Sequence, residues 1–381
     1  MRVLHLWDNY APGLFDRSFE ICQAEGIDTR LACMNFIARG LEKPSHVVAV
    51  RDRPLEESGA GIWQRIRRKL RAAKDSRAFR TLVRKEIAHF QPDVIHIHYG
   101  TTGALLAADP TLQSKPFVIS FYGFDISQGL RDAKTRNAYC RLFARMPLAH
   151  VLCDEARDRV VALGLDASRV VDANLPLPVG RYPDVGINAS GPFRWLIPAR
   201  FVEKKGHAVA LAAFKSHLER HPDDRMTCWG YGDSVWLEKL VSEFRLKDAV
   251  EVVNNAGEGP FDEAYLRRLR DHHAVLAPSV TSKRGDDEGG PALTAVMAQV
   301  AGKPVIVSNF PGHERSVDDG LEGLVVPQDD SDALARAMTE LAADRHRAAA
   351  MGAAGRKRAL QSFSEASYRD ALLSWYRTLA A

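Results

Sequence analysis

Residues 281–314 read TSKRGDDEGGPALTAVMAQVAGKPVIVSNFPGHE. An acidic, glycine-rich loop, 285–291, precedes a predicted helix over 292–301, in which apolar residues recur at helical spacing. Gly302 follows in the position of a C′ glycine, and the apolar run 304–308 is typical of a buried parallel strand. Loop, helix and strand in this order predict one turn of a doubly wound α/β sheet. The loop also precedes a helix N-terminus, where unpaired N–H groups favour an anion.

The length and composition of the chain indicate a globular protein with two domains. Its 381 residues are 46% hydrophobic and 26% charged, and the net charge of +4 is too small to predict nucleic-acid binding. The longest apolar runs are strand-sized, so the sequence predicts no transmembrane helix, and the first residues lack the apolar core of a signal peptide. The five cysteines show no CxxC spacing, which argues against a structural metal or a disulfide framework and favours a reducing cytoplasm.

Strands and helices alternate along both halves of the chain. The first half opens with a strand over 3–7, and the same alternation restarts at residue 193 after a proline- and glycine-rich segment, 170–188. The predicted parts are an N-terminal Rossmann-like domain over 1–185, a second one over 186–360, and a C-terminal helix within 361–381. No GxGxxG is present, so a dinucleotide site is not predicted. Two such domains leave a cleft between them, where ligands are usually found.

The segment 61–90 carries a dense positive charge. Ten Arg or Lys residues lie between Arg65 and Lys85, against one acidic residue, Asp75. Apolar residues recur at helical spacing on both sides of Asp75, which predicts one long basic amphipathic helix or two shorter ones. The basic face either is solvated above a core-packed stripe or docks on an anionic membrane surface through residues 62–85. Binding to nucleic acid is not predicted, because the segment has few aromatic residues for base stacking.

Two predicted strands of the first half end in polar loops. His96 and His98 lie two apart in the run 92–98 and therefore on the same face of one strand. A zinc site would need a third ligand, and the sequence points to none, so these histidines are interpreted as core residues. Ligands bind beyond the carboxyl ends of parallel strands, where the loops 99–103 and 122–125 fall.

Short motifs follow one another in a fixed order along the chain. In the second half they are ARFVEKKG (199–206), GYG (230–232), PS (278–279), EGGP (288–291), GKP (302–304), GHE (312–314) and GLEGL (320–324). In the first half they are PDVIHIHYG (92–100) and FYGFD (121–125). Together they resemble the motifs of the family-4 glycosyltransferases, which are retaining enzymes of the GT-B fold. Each motif alone is weak, whereas their order and spacing over nearly the whole chain are specific.

The resemblance implies a GT-B fold: two Rossmann-like, doubly wound α/β domains, an interdomain cleft, and a C-terminal helix that crosses back onto the N-terminal domain. It also implies that a sugar passes from a UDP- or GDP-linked donor to a hydroxyl of a glycan or a lipid-linked acceptor, with neither a metal nor another cofactor. The resemblance implies catalytic roles for Glu288, which would contact the donor sugar, and for Arg200 and Lys205, which would bind the diphosphate. The implied substrate-binding residues are Gly13, His98, Tyr122, Asp125, Gly230, Gly289, Gly290, Pro291 and Met297.

The residue types in these motifs fit this chemistry. A nucleotide sugar leaves as a diphosphate, so negative charge builds on phosphate oxygens in the transition state. Arg200 can bind such oxygens bidentately, and Lys205 can bind them as a compact charge. No separate general base is required if the leaving phosphate accepts the proton of the incoming hydroxyl. Asp286 and Asp287 are potential metal ligands, but we interpret them as part of a solvated loop.

Three positions differ from the family pattern. The place of the second family glutamate is occupied by Met297 when aligned from the following G-x-P motif, and by Val296 when aligned from Glu288. Tyr122 replaces a histidine, and the loop 8–13 has one glycine where the family often has two. These differences leave two alternatives to a transferase: a catalytically impaired relative that binds a nucleotide sugar, and a nucleotide-sugar epimerase. The expected location is the cytoplasm, at the inner face of the membrane if the basic helix docks there.

Overall fold

The computed structural model describes residues 1–10, 17–37, 42–53, 62–187, 190–255, 258, 261–287 and 289–381. The chain forms two compact units. Unit 1 combines Met1–Pro176 with Ala366–Ala381, and unit 2 comprises Leu177–Glu365. Each unit contains one parallel sheet and the helices that connect its strands.

Unit 1 is built on a parallel sheet. Its described strands are β1 (Arg2–Tyr10), β2 (Asp28–Ile37), β3 (Val47–Arg53), β4 (Val94–His98), β5 (Phe117–Ser120), β6 (Leu148–Val151) and β7 (Val170–Asp172). They lie in the order β3-β2-β1-β4-β5-β6-β7, and neighbouring strands are parallel. The strands β4, β5 and β6 are buried along their whole length, as expected for apolar runs covered on both faces. The strand order changes direction at β1 and β4, which is the arrangement of a doubly wound sheet.

The basic segment of unit 1 forms a single long helix. The described helices before β7 are α1 (Arg17–Ala24), α2 (Ile62–Phe90), α3 (Gly100–Leu106), α4 (Ala133–Phe143) and α5 (Asp154–Ala162). Asp75 does not interrupt α2, because its buried carboxylate lies 2.7 Å from the guanidinium of Arg51. Phe79, Val83 and Ile87 pack in the core of unit 1. The apolar stripe in this half of the helix therefore belongs to the core.

Unit 2 repeats this architecture. Its described strands are β8 (Arg194–Pro198), β9 (Arg225–Gly230), β10 (Val250–Asn254), β11 (Ala274–Ala277), β12 (Val305–Ser308) and β13 (Gly323–Val326). Its described helices are α6 (His207–Leu218), α7 (Ser234–Glu243), α8 (Phe261–Asp271), α9 (Leu293–Val300), α10 (Ser331–Ala343) and α11 (Arg345–Ser362). The strands are parallel, in the order β10-β9-β8-β11-β12-β13. This is the order of a Rossmann fold, in which the switch between β8 and β11 marks the ligand-binding edge.

The helix and strand predicted within 281–314 are confirmed. They correspond to α9 and β12, and Gly302 between them has a φ of 78°, a conformation that favours glycine. A second constraint acts at the same position, since an added Cβ on Gly302 would overlap the carboxylate of Asp184. The strand β12 pairs with β11 on one side and β13 on the other, so this part of the chain lies inside the sheet.

The segment 170–188, predicted as a linker, begins with a strand. The strand β7 pairs in parallel with β6. Three residues are too few to show a periodic pattern, so only the structure reveals this pairing. From Leu177 onward the segment belongs to unit 2, where Leu177 N–H donates to the carbonyl oxygen of Phe363 at 2.9 Å.

The last helix, α12 (Glu365–Ala380), belongs to unit 1. Its buried residues Tyr368, Leu372, Trp375 and Tyr376 pack in a cluster with residues of α1, β1, β4, β5 and β6. The end of the chain thus completes the core of the unit in which the chain begins. Among the described residues, no helix combines the length and the apolarity needed to span a bilayer.

Candidate active site

Three loops lie at the carboxyl edge of the sheet in unit 2. The turn after β8, 199–206, lies beside the GYG segment after β9, because Ala199 N–H donates to the carbonyl oxygen of Trp229 at 3.0 Å. Gly230 permits this close approach, since a Cβ on Gly230 would overlap the carbonyl oxygen of Ala199. The third loop, 281–291, follows β11 and carries the acidic residues. Parallel sheets bind ligands at this edge.

The two cations predicted to bind the diphosphate lie in the turn after β8. Arg200 is exposed and Lys205 is half-buried. The backbone carbonyl of Arg200 accepts a hydrogen bond from Nε2 of His207 at 3.0 Å. Burial lowers the pKa of His207 to about 4, so the imidazole is neutral and uses its single N–H for this bond. The exposed guanidinium of Arg200 is thereby carried on an anchored backbone.

Gly206 closes the same turn and leads into α6. Its φ is 69°, and an added Cβ would overlap the carbonyl oxygen of Pro278. Because α6 begins at the next residue, its unpaired N–H groups and the positive end of its dipole lie at this edge of the sheet. A negatively charged ligand is stabilised at such a helix terminus.

The acidic loop is joined to this turn by Lys204, to which the motif that includes Arg200 and Lys205 assigns no role. The side chain of Lys204 is 8% exposed, and its Nζ lies 3.2 Å from Oδ1 of Asp286 and 3.2 Å from the carbonyl oxygen of Asp287. The sequence places Asp286 in a solvated loop. The structure corrects that interpretation, because the carboxylate of Asp286 is paired with a buried cation.

The end of the acidic loop is closely packed. Gly289 has a φ of 63°, and Gly290 and Pro291 are buried. Gly312, with a φ of 94°, approaches so closely that a Cβ on it would overlap the Cα of Gly290. Glu288, which the resemblance makes a catalytic residue, lies outside the described residues, as does Gly13 at the start of the chain.

The helix α9 presents little polar surface at this edge. Met297 and Val296, the two alternatives for the second family glutamate, are 1% and 0% exposed. The α9 side chains that are only half-buried are Leu293 and Thr294, in its first turn. A ligand bound at the sheet edge would therefore meet α9 through that first turn.

In unit 1, Asp125 organises the loops that follow β4 and β5. Its fully buried carboxylate accepts hydrogen bonds from the backbone N–H groups of Gly100 at 2.7 Å, Tyr122 at 3.0 Å and Gly123 at 3.0 Å. Burial raises the pKa of Asp125 to about 6, although these hydrogen bonds act in the opposite direction. The carboxylate therefore ties two loops together at the carboxyl edge of the sheet.

Tyr99, between β4 and α3, has an unusual backbone conformation. Its φ of 67° and ψ of 130° form a combination that L-residues rarely adopt. Its half-buried ring lies 4.7 Å from the ring of Tyr122, and the bond from Gly100 N–H to Asp125 holds the next residue in place. Strain of this kind is concentrated at functional sites. Tyr99 therefore joins the candidate residues: the sequence places it in a loop at the ligand-binding edge, but its backbone conformation is seen only in the structure.

Asp8 is a further carboxylate near the carboxyl end of β1. Its backbone N–H donates to Oγ1 of Thr102 at 3.0 Å, and Oγ1 of Thr101 donates to Oδ2 of Asp8 at 3.5 Å. Burial raises the pKa of Asp8. In the sequence, one aspartate at the end of a strand is indistinguishable from an ordinary turn residue, so this candidate comes from the structure.

His98 and Tyr122, both implied substrate-binding residues, bond to each other. Nδ1 of His98 lies 2.7 Å from the Tyr122 hydroxyl, and Nε2 lies 3.0 Å from Nδ1 of His5. The buried His98 ring stacks on Trp7, with ring centroids 3.9 Å apart, and on His96, at 4.1 Å. Burial lowers the pKa of His98 well below its ordinary value, which keeps the ring neutral.

His5 lies close to His96 and His98, and the sequence did not identify it as a third member of this group. Among the described residues, His5, His96 and His98 can each place one nitrogen within 4.8 Å of the others. An imidazole binds a metal in the plane of its ring, whereas the rings of His96 and His98 are stacked at 16° and do not direct their nitrogens at a common point. The nitrogens of His96 lie 2.6 Å from the Tyr376 hydroxyl and 2.8 Å from Oγ of Ser120. This geometry favours a hydrogen-bonded network over a metal centre.

Both units match models of known protein families. Residues 185–358 match the family described as "Glycosyl transferases group 1", and residues 18–172 match the "Glycosyl transferase 4-like domain". The two ranges contain the loops after β4, β5, β8, β9 and β11 that carry the candidate residues. The chain belongs to the family-4 glycosyltransferases.

Relatives of this glycosyltransferase include enzymes of bacterial polysaccharide and glycolipid synthesis. The amylovoran biosynthesis glycosyltransferase AmsK of Erwinia amylovora is 29% identical over 257 residues, which are 66% of this chain and 62% of AmsK. WcaL of Salmonella typhimurium, named for colanic acid biosynthesis, is 28% identical over 77% of this chain and 70% of its own length. A GDP-mannose-dependent phosphatidylinositol monomannoside mannosyltransferase of Mycolicibacterium smegmatis is 31% identical over 43% of this chain and 42% of its own. The match thus spans less than two thirds of AmsK.

Solved structures establish the fold of this glycosyltransferase. HepE of Anabaena, in complex with UDP and glucose, has a TM-score of 0.75 and 14% identity, and the likeness covers 100% of both chains. Sucrose-phosphate synthase of Thermosynechococcus elongatus also has a TM-score of 0.75, with 18% identity over 100% of this chain and 99% of the other. The family-4 glycosyltransferase described here therefore has the two-domain, Rossmann-like GT-B fold.

Most of the implied site residues of the glycosyltransferase fall into two groups. At the carboxyl edge of unit 2 lie Arg200, Lys205, Gly230, Gly289, Gly290 and Pro291. At the carboxyl edge of unit 1 lie His98, Tyr122 and Asp125. Met297 is buried in the packing of α9.

Proposed function

We propose that this glycosyltransferase moves a sugar, with retention of configuration, from a nucleotide-sugar donor to a hydroxyl of a glycan or a lipid-linked acceptor. The observation that carries the proposal is the placement of Arg200 and Lys205 in the turn that contacts the acidic loop. One relative is named as GDP-mannose-dependent, and HepE binds UDP. These names support a UDP- or GDP-linked donor.

Arg200 and Lys205 would stabilise the leaving diphosphate. The guanidinium of Arg200 binds two phosphate oxygens at once, and Lys205 contributes a compact positive charge. The first N–H groups of α6 add backbone donors beside them. Such preorganised groups stabilise the charge that develops in the transition state more strongly than water does.

The proposed reaction exchanges one bond at the anomeric carbon for another. The bond from C1 of the sugar to the diphosphate oxygen breaks, and a bond from C1 to the acceptor oxygen forms on the same face. The acceptor hydroxyl proton passes to an oxygen of the leaving phosphate, so no separate general base, metal or other cofactor takes part. Glu288 is proposed to hold hydroxyl groups of the donor sugar.

The acceptor is proposed to be a growing polysaccharide or a lipid-linked glycan at the inner face of the membrane. Relatives are named for amylovoran and colanic acid biosynthesis and for a phosphatidylinositol mannoside. The exposed cations Lys74, Arg77 and Lys85 on α2 would attract an anionic lipid surface. Arg84 contributes less to that attraction, because its Nε lies 3.0 Å from the carboxylate of Asp109.

Calorimetric titration with UDP and GDP tests the phosphate-binding roles. Removal of one charge-assisted contact in Arg200→Ala or Lys205→Ala should weaken binding of the preferred diphosphate roughly tenfold to a hundredfold. Arg194→Ala is the matched control, because Arg194 is an exposed arginine at the opposite end of β8. Equal affinities in the wild type and the two site variants would exclude the proposed roles.

The release of nucleoside diphosphate from a panel of donors and acceptors tests the transfer itself. Glu288→Ala should abolish transfer and retain diphosphate binding. An impaired relative is the second candidate, because neither Val296 nor Met297 supplies the carboxylate of the second family glutamate. Binding without turnover in the wild type would support that candidate. Interconversion of the free donor without an acceptor would instead identify an epimerase.

A further inference from the structure

We propose that Lys204 is a positioning residue for the sugar transfer. In this proposal, Lys204 locks the acidic loop against the phosphate-binding turn, so that the segment leading to Glu288 is held before the donor binds. Lys204 stands at a position that the family motif around Arg200 and Lys205 leaves open. The inference rests on the proposed function and adds a residue to that site.

Three contacts of Lys204 join the turn to the segment that follows β11. Its Nζ bonds to the carboxylate of Asp286 and to the backbone carbonyl of Asp287, each at 3.2 Å. Its own carbonyl accepts a hydrogen bond from Val280 N–H at 2.9 Å. A buried ammonium group is unfavourable unless it is paired and hydrogen-bonded, and the loop supplies both an anion and a carbonyl. The burial of the Lys204 ammonium group therefore favours the arrangement in which the turn and the loop are in contact.

Asp286 is a suitable anchor because its backbone is also held. Its N–H donates to Oγ of Ser282 at 3.0 Å, and its carbonyl oxygen accepts from Ser282 N–H at 3.1 Å. The carboxylate that Lys204 binds therefore projects from a hydrogen-bonded turn. Movement of Asp286 would break these backbone contacts as well as the ion pair.

The far end of the acidic loop is held by a different contact. Gly290 packs against Gly312, and Gly312 N–H donates to the carboxylate of Glu314 at 2.8 Å. Lys204 at the start and Gly312 at the end thus restrain the two sides of the loop. Glu288 lies between these two anchored points in the sequence.

The two neighbouring lysines have different surroundings. Lys205 is half-buried, whereas the side chain of Lys204 is 8% exposed and directed at the loop. We therefore assign diphosphate binding to Lys205 and loop positioning to Lys204. Positioning of this kind affects the rate of reaction more than the affinity for the leaving group, and a 1 Å misplacement can lower a rate about a hundredfold.

Lys204→Met tests this assignment, because methionine keeps an unbranched side chain and removes the charge. We expect kcat for sugar transfer to fall about tenfold to a hundredfold. Calorimetric affinity for the nucleoside diphosphate should stay within about twofold of the wild type, since the phosphate contacts are untouched. Lys239→Met is the matched control: Lys239 is exposed, pairs with Glu243 at 3.7 Å on α7, and should change neither quantity when replaced.

A double-mutant cycle separates a specific contact from a general structural effect. Asp286→Asn should lower kcat, and the variant with both substitutions should lose little more than Lys204→Met alone, because the same ion pair is removed. Additive losses would overturn the proposal. A fall in diphosphate affinity that matches the fall in kcat would also overturn it, since Lys204 would then be a phosphate ligand.

Amide hydrogen exchange tests the positioning role without any turnover. The N–H groups of Gly285 and Asp286 bond to Ser282, so a peptide spanning 282–287 should exchange faster in Lys204→Met than in the wild type or Lys239→Met. Unchanged exchange in this peptide would overturn the proposal. If the wild type itself transfers no sugar, the proposed function fails, while the exchange measurement still decides whether Lys204 holds the loop.

Discussion

The hydroxyl of Tyr376 lies 2.6 Å from Nδ1 of His96, which joins the last helix of the chain to the fourth strand of unit 1. The chain of contacts continues from Nε2 of His96 to Oγ of Ser120 at 2.8 Å, and from Ser120 to Nδ1 of His150 at 3.0 Å. It ends where Nε2 of His150 meets the carbonyl oxygen of Ala173 at 2.9 Å. One hydrogen-bonded network therefore connects α12 with β4, β5 and β6.

The backbone carbonyl at the end of this network sets the direction of its hydrogen bonds. A carbonyl only accepts, so Nε2 of the buried His150 donates to it, and with the proton on Nε2 the ring accepts at Nδ1 from the Ser120 hydroxyl. Ser120 then accepts from Nε2–H of His96, and Nδ1 of His96 accepts from Tyr376. Burial lowers the pKa of His96 well below its ordinary value, which is consistent with this single neutral tautomer.

Removal of the Tyr376 hydroxyl should destabilise unit 1. In Tyr376→Phe the buried Nδ1 of His96 loses its donor, which should lower the free energy of unfolding by about 1–3 kcal/mol. Urea unfolding followed by circular dichroism measures this change. Thr378→Ala removes an exposed hydroxyl from the same helix and should change stability by less than about 0.5 kcal/mol. Equal stabilities of Tyr376→Phe and the wild type would contradict the network.

The glycosyltransferase should lose stability in mild acid. Buried histidines have lowered pKa values, mainly through burial: about 3 for His5, about 4 for His207, His272 and His273, and well below the ordinary value for His96 and His98. A folded pKa below the unfolded value of about 6.5 gives stability that is present above pH 6.5 and lost as the pH falls. Each histidine then lowers the free energy of unfolding by about 1.4 kcal/mol per pH unit.

Three of these histidines lie in each unit, so unit 2 should lose about 8 kcal/mol between about pH 6 and pH 4, a large part of a typical domain stability of about 5–15 kcal/mol. Unit 1 should lose less, because the raised pKa of Asp125 stabilises the folded state as the pH falls through this range. Urea unfolding at several pH values, followed by tryptophan fluorescence and far-UV circular dichroism, measures this loss. His5→Gln removes one titrating group and should make the loss of stability in unit 1 shallower by about 1.4 kcal/mol per pH unit. Equal free energies of unfolding at pH 7.5 and pH 5 would show that these histidines are not buried and neutral.

Asp125→Asn should destabilise the loops of unit 1 despite its similar shape. An amide has one oxygen, so its NH₂ group must face at least one of the backbone donors that the carboxylate now satisfies. We expect a loss of about 1–3 kcal/mol in thermal or urea unfolding. Asp132→Asn is a suitable control, because Asp132 is an exposed N-cap and asparagine caps a helix about as well as aspartate. Equal losses of stability in the two variants would show that the carboxylate of Asp125 does not tie the two loops together.

Gly230→Ala should push the turn that carries Arg200 away from the GYG segment after β9. The new methyl group would overlap the backbone oxygen of Ala199, which cannot move without breaking its contact with Trp229. Overpacking of this kind costs about 1–3 kcal/mol and should also weaken diphosphate binding. Gly180→Ala is the control, since nothing lies within 4 Å of the added Cβ. Urea unfolding and calorimetric titration of both variants measure the stability and the diphosphate affinity. Unchanged affinity in Gly230→Ala would show that the contact between Gly230 and Ala199 does not support diphosphate binding.

The described half of α2 should bind anionic vesicles through charge alone. Its apolar face is occupied by the core of unit 1, so Lys74, Arg77 and Lys85 can contribute only electrostatic attraction, about 1 kcal/mol each near the lipid. Co-sedimentation with phosphatidylglycerol vesicles should fall steeply as salt screens the charges. Replacement of the three residues by glutamine should reduce it. Equal binding to neutral phosphatidylcholine vesicles would exclude binding through electrostatic attraction.

The candidate site is only partly predictable from sequence. Arg200 and Lys205 stand out because a motif surrounds them, and the structure places them at a sheet edge beside a helix N-terminus. Lys204 is also a lysine, but the motif assigns it no role, and only its burial against Asp286 in the structure indicates one. The sequence places Tyr99 in a motif and in a predicted ligand-binding loop, but it does not predict the positive φ, which arises from the tertiary contacts that enforce it.

Local periodicity is sufficient to predict much of the architecture of this chain. The alternation of apolar strands and amphipathic helices depends on residues close in sequence, so it predicts two Rossmann-like sheets and the helix and strand around Gly302. The hydrogen bond between His96 and Tyr376 joins residues 280 positions apart, and the pair of Lys204 and Asp286 joins residues 82 apart. Neither partner predicts the other, because such a contact exists only after the sheets have assembled and brought distant elements to the same place. For that reason the roles of His5, beside His96 and His98, and of Lys204, at the acidic loop, are seen only in the folded structure.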